Sequence, residues 1–427
     1  MTYEESLEFL FTKLPMYQRV GVAALKFDLN NITNLMDSLG NPHNKLKTIH
    51  IAGTNGKGSS AHMIASIMQE AGYKTGLYTS PHLRSFTERI RVNGTEINKS
   101  EVVSFVERIK PAIERIKPSF FEITFAMAMV YFRSQEVDIA IIEVGLGGRL
   151  DSTNIILPEV SLITNISFDH QHLLGNTLEE IASEKAGIIK QQVPLVINKS
   201  QESTEKVFRD MAIKMAAKII FADKEYTFEQ AYGGRLNVIR DKSIVYEGLL
   251  LDLKGQYQID NLPGVLAVIT VLSENGWSLL NDSSIRDGLS SVIRNTGLKG
   301  RWQLLGDNPM IIADTGHNEA GVLEIVNELS RIPHKKLHMV WGMVKDKVAV
   351  KILKLLPQQA IYYFTEPNIP RALKSTELIE AAKSVGLSGV AYPSVQEAIN
   401  SAKESAAQED LIFIGGSTFV VAEIDDI

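Results

Sequence analysis

The sequence contains no cysteine among its 427 residues. Disulfides, thiolate metal sites and a cysteine nucleophile are therefore excluded, and the absence fits a reducing compartment. Long basic runs are also missing, and the formal net charge is -6. Because a protein that binds nucleic acid normally presents a basic surface, we expect no nucleic-acid partner.

Long hydrophobic runs are absent as well. Apolar stretches such as 140–144 and 310–313 are as short as strands, far below the roughly 20 residues of a membrane-spanning helix. Residues 1–14 alternate acidic and apolar side chains, which predicts an amphipathic helix rather than a signal peptide. We therefore expect a cytoplasmic protein without membrane contact.

The length favours two domains. Short β-branched runs alternate with segments of helical spacing, which predicts a doubly wound, mainly parallel α/β sheet. The predicted strands are 48–52, 75–79, 138–144 and 160–165, and the predicted helices are 57–71, 101–116 and 121–133. Between 226 and 253, apolar and polar residues alternate around Gly233-Gly234 and Asp241-Lys242, which predicts a small antiparallel β section.

A polar stretch at 295–300 separates this region from the rest of the chain and is suited to a linker. Predicted helices at 259–275 and 285–293 precede it. Beyond it, the predicted strands are 310–314, 336–341, 360–364 and 411–414, with a helix at 375–385. The pattern predicts a second, smaller Rossmann-like α/β domain, so we expect domains at 1–296 and 297–427.

A glycine-rich turn follows the first strand and opens the first long helix. Glycines let backbone N–H groups converge on phosphate oxygens, the helix N-terminus adds positive partial charge, and a lysine reaches the terminal phosphates. The spacing is shorter than G-x-x-x-x-G-K-[ST], and a glycine separates Lys57 from Ser59. A purely structural turn is the alternative. The predicted P-loop residues for a nucleoside triphosphate are Gly53, Thr54, Asn55, Gly56, Lys57, Gly58 and Ser59.

A second glycine-rich segment, I-I-E-V-G-L-G-G-R-L-D-S-T-N at 141–154, places a carboxylate at the carboxyl end of a buried strand. Open α/β sheets bind ligands at this edge. Together with the P-loop, the segment resembles the signature pair of the folylpolyglutamate synthase and dihydrofolate synthase family, within the Mur ligase superfamily. The resemblance spans nearly the whole chain, since the family's order continues through T-S-P-H-L at 79–83, F-D-H at 168–170, S-E-K-A-G-I at 183–188 and D-T-G-H-N at 314–318.

The resemblance implies a magnesium site. Its ligands would be Ser80, Glu143 and His170, together with Lys185, which matches a lysine that carbon dioxide carbamylates in the family. Mg²⁺ favours oxygen ligands. Taken singly, Ser80 could be a turn residue, Glu143 an ion-pair partner, His170 a capping or core histidine, and Lys185 a solvated helix residue or a phosphate contact. The expected catalytic residues are Lys57, Glu143, His170 and Lys185.

The resemblance also implies further substrate contacts. ATP would be bound in part by Asn261, Arg301, Asp314 and His317, in an interdomain site that closes about a hinge near 297–300. This chain reads D-T-G-H-N-E where many relatives carry D-G-A-H-N-P. An aromatic ring can stack on a pterin and a carboxylate can bond its edge, although both phenylalanines could equally be core residues. The expected pterin-pocket residues are Phe120, Phe121, Glu122, Leu150, Asp151 and Ser152.

The expected function is ATP-dependent addition of L-glutamate to dihydropteroate, to folates or to both, through an acyl phosphate. The expected partners are small molecules, and we expect a monomer. Folylpolyglutamate synthase activity alone, or another Mur-type amide ligase, remains open. About 45 residues precede the first strand, too few for the UDP-binding domain of muropeptide ligases. A GTPase is disfavoured because the chain has no N-K-x-D motif.

Overall fold

The computed structural model describes residues 1–15, 28–345, 349–425 and 427. Two compact units are present. Unit 1 consists of Met1–Asp252 and Gln258–Gly297, and unit 2 consists of Leu253–Tyr257 and Leu298–Ile427. The units part between 297 and 298, and the five residues from 253 to 257 belong to unit 2. The division into functional domains at 296/297 stays a prediction.

An eight-stranded sheet forms the centre of unit 1, in the order β4-β3-β2-β5-β1-β6-β7-β8. Strands β3 and β4 are antiparallel, and the others pair in parallel. All residues of β1 and β5 are buried, which explains their apolar runs. The strands are β1 Thr48–Ala52, β2 Thr75–Tyr78, β3 Ile90–Val92, β4 Thr95–Glu96, β5 Ile139–Glu143, β6 Val160–Ile163, β7 Leu195–Ile197 and β8 Ile219–Phe221.

The helices between these strands form the crossovers that parallel pairing requires, and the other helices precede β1 or follow β8 in the chain. The helix predicted at 1–14 is present. The helices are α1 Tyr3–Lys13, α2 Asn30–Ser38, α3 Lys57–Glu70, α4 Lys99–Ile116, α5 Phe120–Ser134, α6 Gln171–Leu174, α7 Leu178–Ala186, α8 Glu202–Lys214, α9 Ala222–Glu225, α10 Gln256–Ile259, α11 Leu262–Glu274, α12 Asp282–Leu289 and α13 Val292–Thr296.

The predictions were wrong in detail at the end of unit 1. The single helix expected at 285–293 is two helices, α12 and α13, and the expected linker at 295–300 begins inside α13. Thr296 explains the second difference, because its hydroxyl contacts the ring Nδ1 of His62 at 2.7 Å and donates to the Val292 carbonyl. Left-handed Gly297 (φ 66°) then ends the helix, as glycine commonly does.

A three-stranded antiparallel sheet, β11-β10-β9, follows β8. It consists of β9 Tyr226–Gln230, β10 Leu236–Arg240 and β11 Ser243–Leu249. The turn between β10 and β11 places both Asp241 and Lys242 at positive φ, the backbone of a tight hairpin turn. The antiparallel section predicted from the sequence is confirmed.

Unit 2 contains a six-stranded sheet in the order β12-β13-β17-β14-β15-β16. Only β12 is antiparallel. Its core includes Trp341, Tyr362 and Phe413, and the predicted Rossmann-like unit is confirmed. The elements are β12 Gln303–Asp307, β13 Met310–Ala313, α14 Glu319–Arg331, β14 Leu337–Gly342, α15 Ala349–Leu353, β15 Ile361–Thr365, α16 Ser375–Lys383, β16 Gly389–Ala391, α17 Val395–Ser405, β17 Leu411–Gly415 and α18 Thr418–Ala422.

In the described ranges, every helix is too short or too polar to cross a bilayer.

Candidate active site

The P-loop joins β1 to α3 at the centre of the parallel sheet. Gly53 (φ 146°) and Gly56 (φ 85°) both adopt backbone conformations that side chains disfavour. A Cβ at Gly53 would also clash with the Thr164 hydroxyl, and one at Gly56 with the Asn261 amide oxygen. The fold therefore requires glycine at both positions, and it places predicted site residue Asn261 against the loop.

Side chains that follow β6 hold the P-loop in place. Thr164 donates its hydroxyl to the Asn55 carbonyl at 2.6 Å, and the Asn165 amide oxygen accepts from the Asn55 N–H at 3.0 Å. Neither Thr164 nor Asn165 was among the predicted site residues. The signal was available, because β6 neighbours β1 in parallel and the carboxyl ends of parallel strands share one edge.

Two lysine amines converge on one carbonyl of the P-loop. Lys57 Nζ donates to the Thr54 carbonyl at 3.1 Å and to the Gly53 carbonyl at 3.3 Å. Lys185 Nζ, on α7, donates to the same Gly53 carbonyl at 2.8 Å. The α7 helix therefore delivers its lysine to the P-loop, so the solvated-lysine interpretation of Lys185 is excluded.

Burial changes the chemistry of Lys185, whose surface is only 3% exposed. Loss of hydration and the positive charge of Lys57 together lower its pKa to about 7, while Asp169 and Asp151 oppose the shift. A lysine of this kind is largely neutral near physiological pH, and a neutral amine is nucleophilic.

Glu143 and Ser80 meet at the carboxyl ends of β5 and β2. The Ser80 N–H donates to Glu143 Oε2 at 3.0 Å, and Glu143 is 5% exposed. Arg89 is also buried nearby; burial lowers the pKa of its guanidinium, while Tyr78 and the Glu143 charge oppose that change. Arg89 was not among the predicted site residues, although it lies in E-R-I-R at 88–91.

The predicted magnesium ligands fit the ion in part. His170 (φ 48°) begins α6, and its Nε2 lies 3.7 Å from Asp169 Oδ1. Within the described ranges, no group of three His, Asp or Glu side chains has metal-binding geometry. Ser80 and Glu143 do lie together, and their oxygen donors suit a Mg²⁺ ion that keeps waters and phosphate oxygens in its shell. The four-residue ligand set stays a prediction.

The second glycine-rich loop, 145–151, is closed by Asp151. Its carboxylate accepts from the Leu146 N–H at 2.8 Å and the Thr153 N–H at 3.0 Å, and burial raises its pKa. A Cβ at Gly148 would lie 3.0 Å from the Lys185 Cα. The loop thus packs directly on the helix that carries Lys185.

The predicted pterin-pocket residues occupy different environments. Phe120 is in the core, with its ring 5.4 Å from Phe11, and Glu122 caps α5 by accepting from the Ser119 N–H at 2.6 Å. Phe121 is half-buried. Its ring lies so close to Gly145 that a Cβ added there would be 2.5 Å from the Phe121 Cζ. Phe121, Leu150 and Ser152 keep part of their surface exposed, so they can contact a ligand without rearrangement of the core.

The remaining predicted ATP residues lie in unit 2, in the segments before β12 and after β13. Asp314 accepts from the Trp302 N–H at 2.7 Å and from the Tyr257 hydroxyl at 2.5 Å. Arg301 donates to the Thr315 hydroxyl, and His317 Nδ1 lies 3.1 Å from the Thr315 carbonyl. Thr315, which departs from the family's usual glycine, therefore anchors Arg301. The structure brings Arg301, Asp314 and His317 together within this unit.

Comparison with known families agrees with this arrangement. Residues 51–269 match the Mur ligase middle domain, and residues 300–418 match the glutamate ligase domain of Mur ligases. The first match covers the P-loop, Glu143 and Lys185, and the second covers Arg301 and His317.

Individual relatives match over almost the whole chain. A dihydrofolate synthase/folylpolyglutamate synthase of Bacillus subtilis is 32% identical over 99% of this chain and 98% of its own length. Escherichia coli FolC in complex with DHPP and ADP has a TM-score of 0.87 and 29% identity, covering 99% of this chain and 96% of the other. The bifunctional Yersinia pestis enzyme complexed with AMPPNP and Mn ion has a TM-score of 0.86 and 29% identity, covering 99% and 97%. The chain therefore belongs to the dihydrofolate synthase/folylpolyglutamate synthase family of Mur-type ATP-dependent ligases.

Proposed function

We propose that this protein adds L-glutamate to dihydropteroate, to tetrahydrofolate polyglutamates, or to both, at the expense of ATP. The convergence of Lys57 and Lys185 on the Gly53 carbonyl carries the proposal. It places the Lys57 cation and a second, buried amine beside a loop built for phosphate, and the Lys57 charge is the kind that phosphoryl transfer to a carboxylate needs. The family membership supplies the substrates.

The reaction has two steps. A carboxylate oxygen of the pterin substrate attacks the γ-phosphorus of ATP, the bond from that phosphorus to the β-bridging oxygen breaks, and ADP leaves. The α-amine of L-glutamate then attacks the acyl phosphate carbonyl, loses a proton and expels phosphate. Lys57 and the loop N–H groups stabilise the transferring phosphoryl group. In neither step does a side chain become covalently attached.

Magnesium would be held by Ser80, Glu143, His170 and a carbamylated Lys185. When bound, it neutralises charge on the phosphate oxygens. The lowered pKa of Lys185, about 7, supports carbamylation, because carbon dioxide reacts with a neutral amine. The new carboxylate would reverse the charge at this position.

In the same proposal, Asn261, Arg301, Asp314 and His317 contact ATP, and the pterin lies against Phe121 and the 150–152 segment. Residues 1–296 serve as the ATP-binding domain and residues 297–427 as the glutamate-ligase domain. The enzyme acts as a monomer in the cytoplasm, and light scattering on the purified protein tests the monomeric state.

The test measures phosphate release with ATP, magnesium and L-glutamate, using dihydropteroate, tetrahydrofolate or no acceptor, with product masses determined. Addition of glutamate to both acceptors establishes dual activity, and addition to tetrahydrofolate alone restricts the enzyme to chain extension. Acceptor-independent phosphate release, or release with no glutamylated product, rejects the folate assignment and favours another Mur-type amide ligase.

A further inference from the structure

A histidine stands in the middle of a fully buried strand of unit 1. His50 lies on β1, between β5 and β6, and is 0% exposed. Its neighbours along the strand, Ile49 and Ile51, are apolar. Burying an imidazole is costly unless its polar atoms are bonded, so this side chain calls for an explanation beyond core packing.

The imidazole begins a chain of hydrogen bonds that reaches the second glycine-rich loop. His50 Nε2 lies 2.8 Å from the Thr153 hydroxyl oxygen. The Thr153 hydroxyl donates to Asp151 Oδ1 at 2.5 Å, and Asp151 Oδ2 accepts from the Leu146 N–H at 2.8 Å. Three side chains thus connect the strand that enters the P-loop to the backbone of the 145–151 loop.

The direction of these bonds follows from counting protons. A threonine hydroxyl has one hydrogen, and in this chain it points to Asp151. The oxygen of Thr153 must therefore accept from His50, which places the imidazole proton on Nε2. Burial and the charge of Lys190 lower the pKa of His50 to about 3, so the ring is neutral near pH 7.

We propose that His50 and Thr153 are positioning residues that hold Asp151 and thereby fix the 145–151 loop against the acceptor substrate. This inference rests on the proposed function, since it assigns a purpose to the loop that would line the pterin pocket. The same loop packs on the backbone of Lys185 through Gly148. His50 and Thr153 themselves touch no substrate.

The experiment compares His50→Phe, which keeps a ring but removes the N–H, with His50→Gln, whose amide nitrogen is the same number of bonds from Cα. Thr48→Val is the matched control. Thr48 is on the same strand and face, is 0% exposed, and its hydroxyl has no hydrogen-bond partner among the described residues. Thr153→Val and Thr153→Ser form the second pair.

Two measurements are made on each variant: KM for the pterin acceptor and for ATP, and amide hydrogen exchange of peptides covering 145–155. His50→Phe and Thr153→Val should raise the acceptor KM and the exchange rate about tenfold, the factor that corresponds to about 1.4 kcal/mol and to one lost hydrogen bond. The ATP KM should stay unchanged. His50→Gln and Thr153→Ser should recover most of the loss.

Three results would overturn the proposal. One is unchanged exchange at 145–155 in His50→Phe, another is an equal effect of Thr48→Val, and the third is failure of His50→Gln to recover. Because hydrogen exchange does not depend on turnover, the positioning role is tested even if the wild-type enzyme accepts neither dihydropteroate nor tetrahydrofolate. If the enzyme accepts neither acceptor, the proposed function is rejected, and hydrogen exchange at 145–155 alone decides whether His50 and Thr153 position the loop.

Discussion

Two glycine-rich loops follow neighbouring strands of one sheet, and they use glycine for different reasons. In the P-loop after β1, Gly53 and Gly56 provide left-handed or otherwise restricted backbone angles, and the loop opens α3. In the loop after β5, Gly145 and Gly148 permit close packing against Phe121 and α7.

The difference shows how similar compositions serve separate purposes. The P-loop ends at the N-terminus of α3, a position that favours an anion, whereas the second loop is closed internally by the carboxylate of Asp151. The first loop is therefore suited to bind an anion, and the second is held in shape by its own hydrogen bonds. Five predictions test this contrast.

The largest effect is expected for Lys57→Ala. Removing a cation that stabilises transferring phosphate should reduce kcat by about 10³-fold, at the upper range for loss of one electrostatic contact, while the thermal unfolding midpoint stays unchanged. Steady-state phosphate release and calorimetry measure both quantities. Lys206→Ala, which removes an exposed lysine of α8, is the control. Turnover like that of the wild type in Lys57→Ala would reject the P-loop assignment.

Gly53→Ala should destabilise the fold by about 3 kcal/mol, since overpacking adds to the cost of an unfavourable φ. The Cβ would meet Thr164. Gly72→Ala is matched in sign of φ (92°) but has open space around its Cβ, so it should cost only about 1 kcal/mol. Urea unfolding measures the difference. Equal losses would show that Thr164 moves freely and does not clamp the loop.

Glu143→Gln should raise the magnesium concentration for half-maximal rate by at least about tenfold, because even indirect contacts to metal ligands change affinity by that factor. The substitution keeps the size of the side chain and removes its charge. Titration of magnesium at saturating ATP measures the effect. A magnesium requirement equal to that of the wild type would exclude Glu143 as a ligand.

The smallest effect concerns Lys185, which touches both loops. Since its pKa is lowered to about 7, the neutral amine fraction should rise about tenfold between pH 6 and pH 8, and carbamate should rise with it. Carbon-13 NMR of protein in labelled bicarbonate detects the carbamate. Lys185→Ala should lack the signal. A wild-type protein without a carbamate signal at pH 8 would contradict the modification.

The same pKa shift has a consequence for stability. Between about pH 7 and the ordinary lysine pKa, the unfolded chain holds a proton that folded Lys185 has released. The unfolded state binds more protons there, so this lysine makes the free energy of unfolding increase with pH in that window. Lys185→Met should remove this contribution, as denaturant titrations at pH 7 and pH 9 would show.

Local patterns predicted much of the fold. Strand β1 was placed at its observed bounds, Thr48–Ala52, and β5 within one residue at each end, because fully buried strands read as apolar runs. Short strands such as β7, Leu195–Ile197, and β16, Gly389–Ala391, were missed. Three residues carry too little periodicity for a pattern to identify them.

The sequence by itself determined the α/β class, the antiparallel insertion and the P-loop, because residue periodicity and glycine conformation are local properties. Only the tertiary structure decided that Lys185 is buried at the Gly53 carbonyl, that Thr164 clamps the P-loop, and that His50 is bonded through Thr153 to Asp151. The physical reason is the parallel sheet. Its crossovers bring together strand ends that are far apart along the chain, and no local pattern records which side chains meet there.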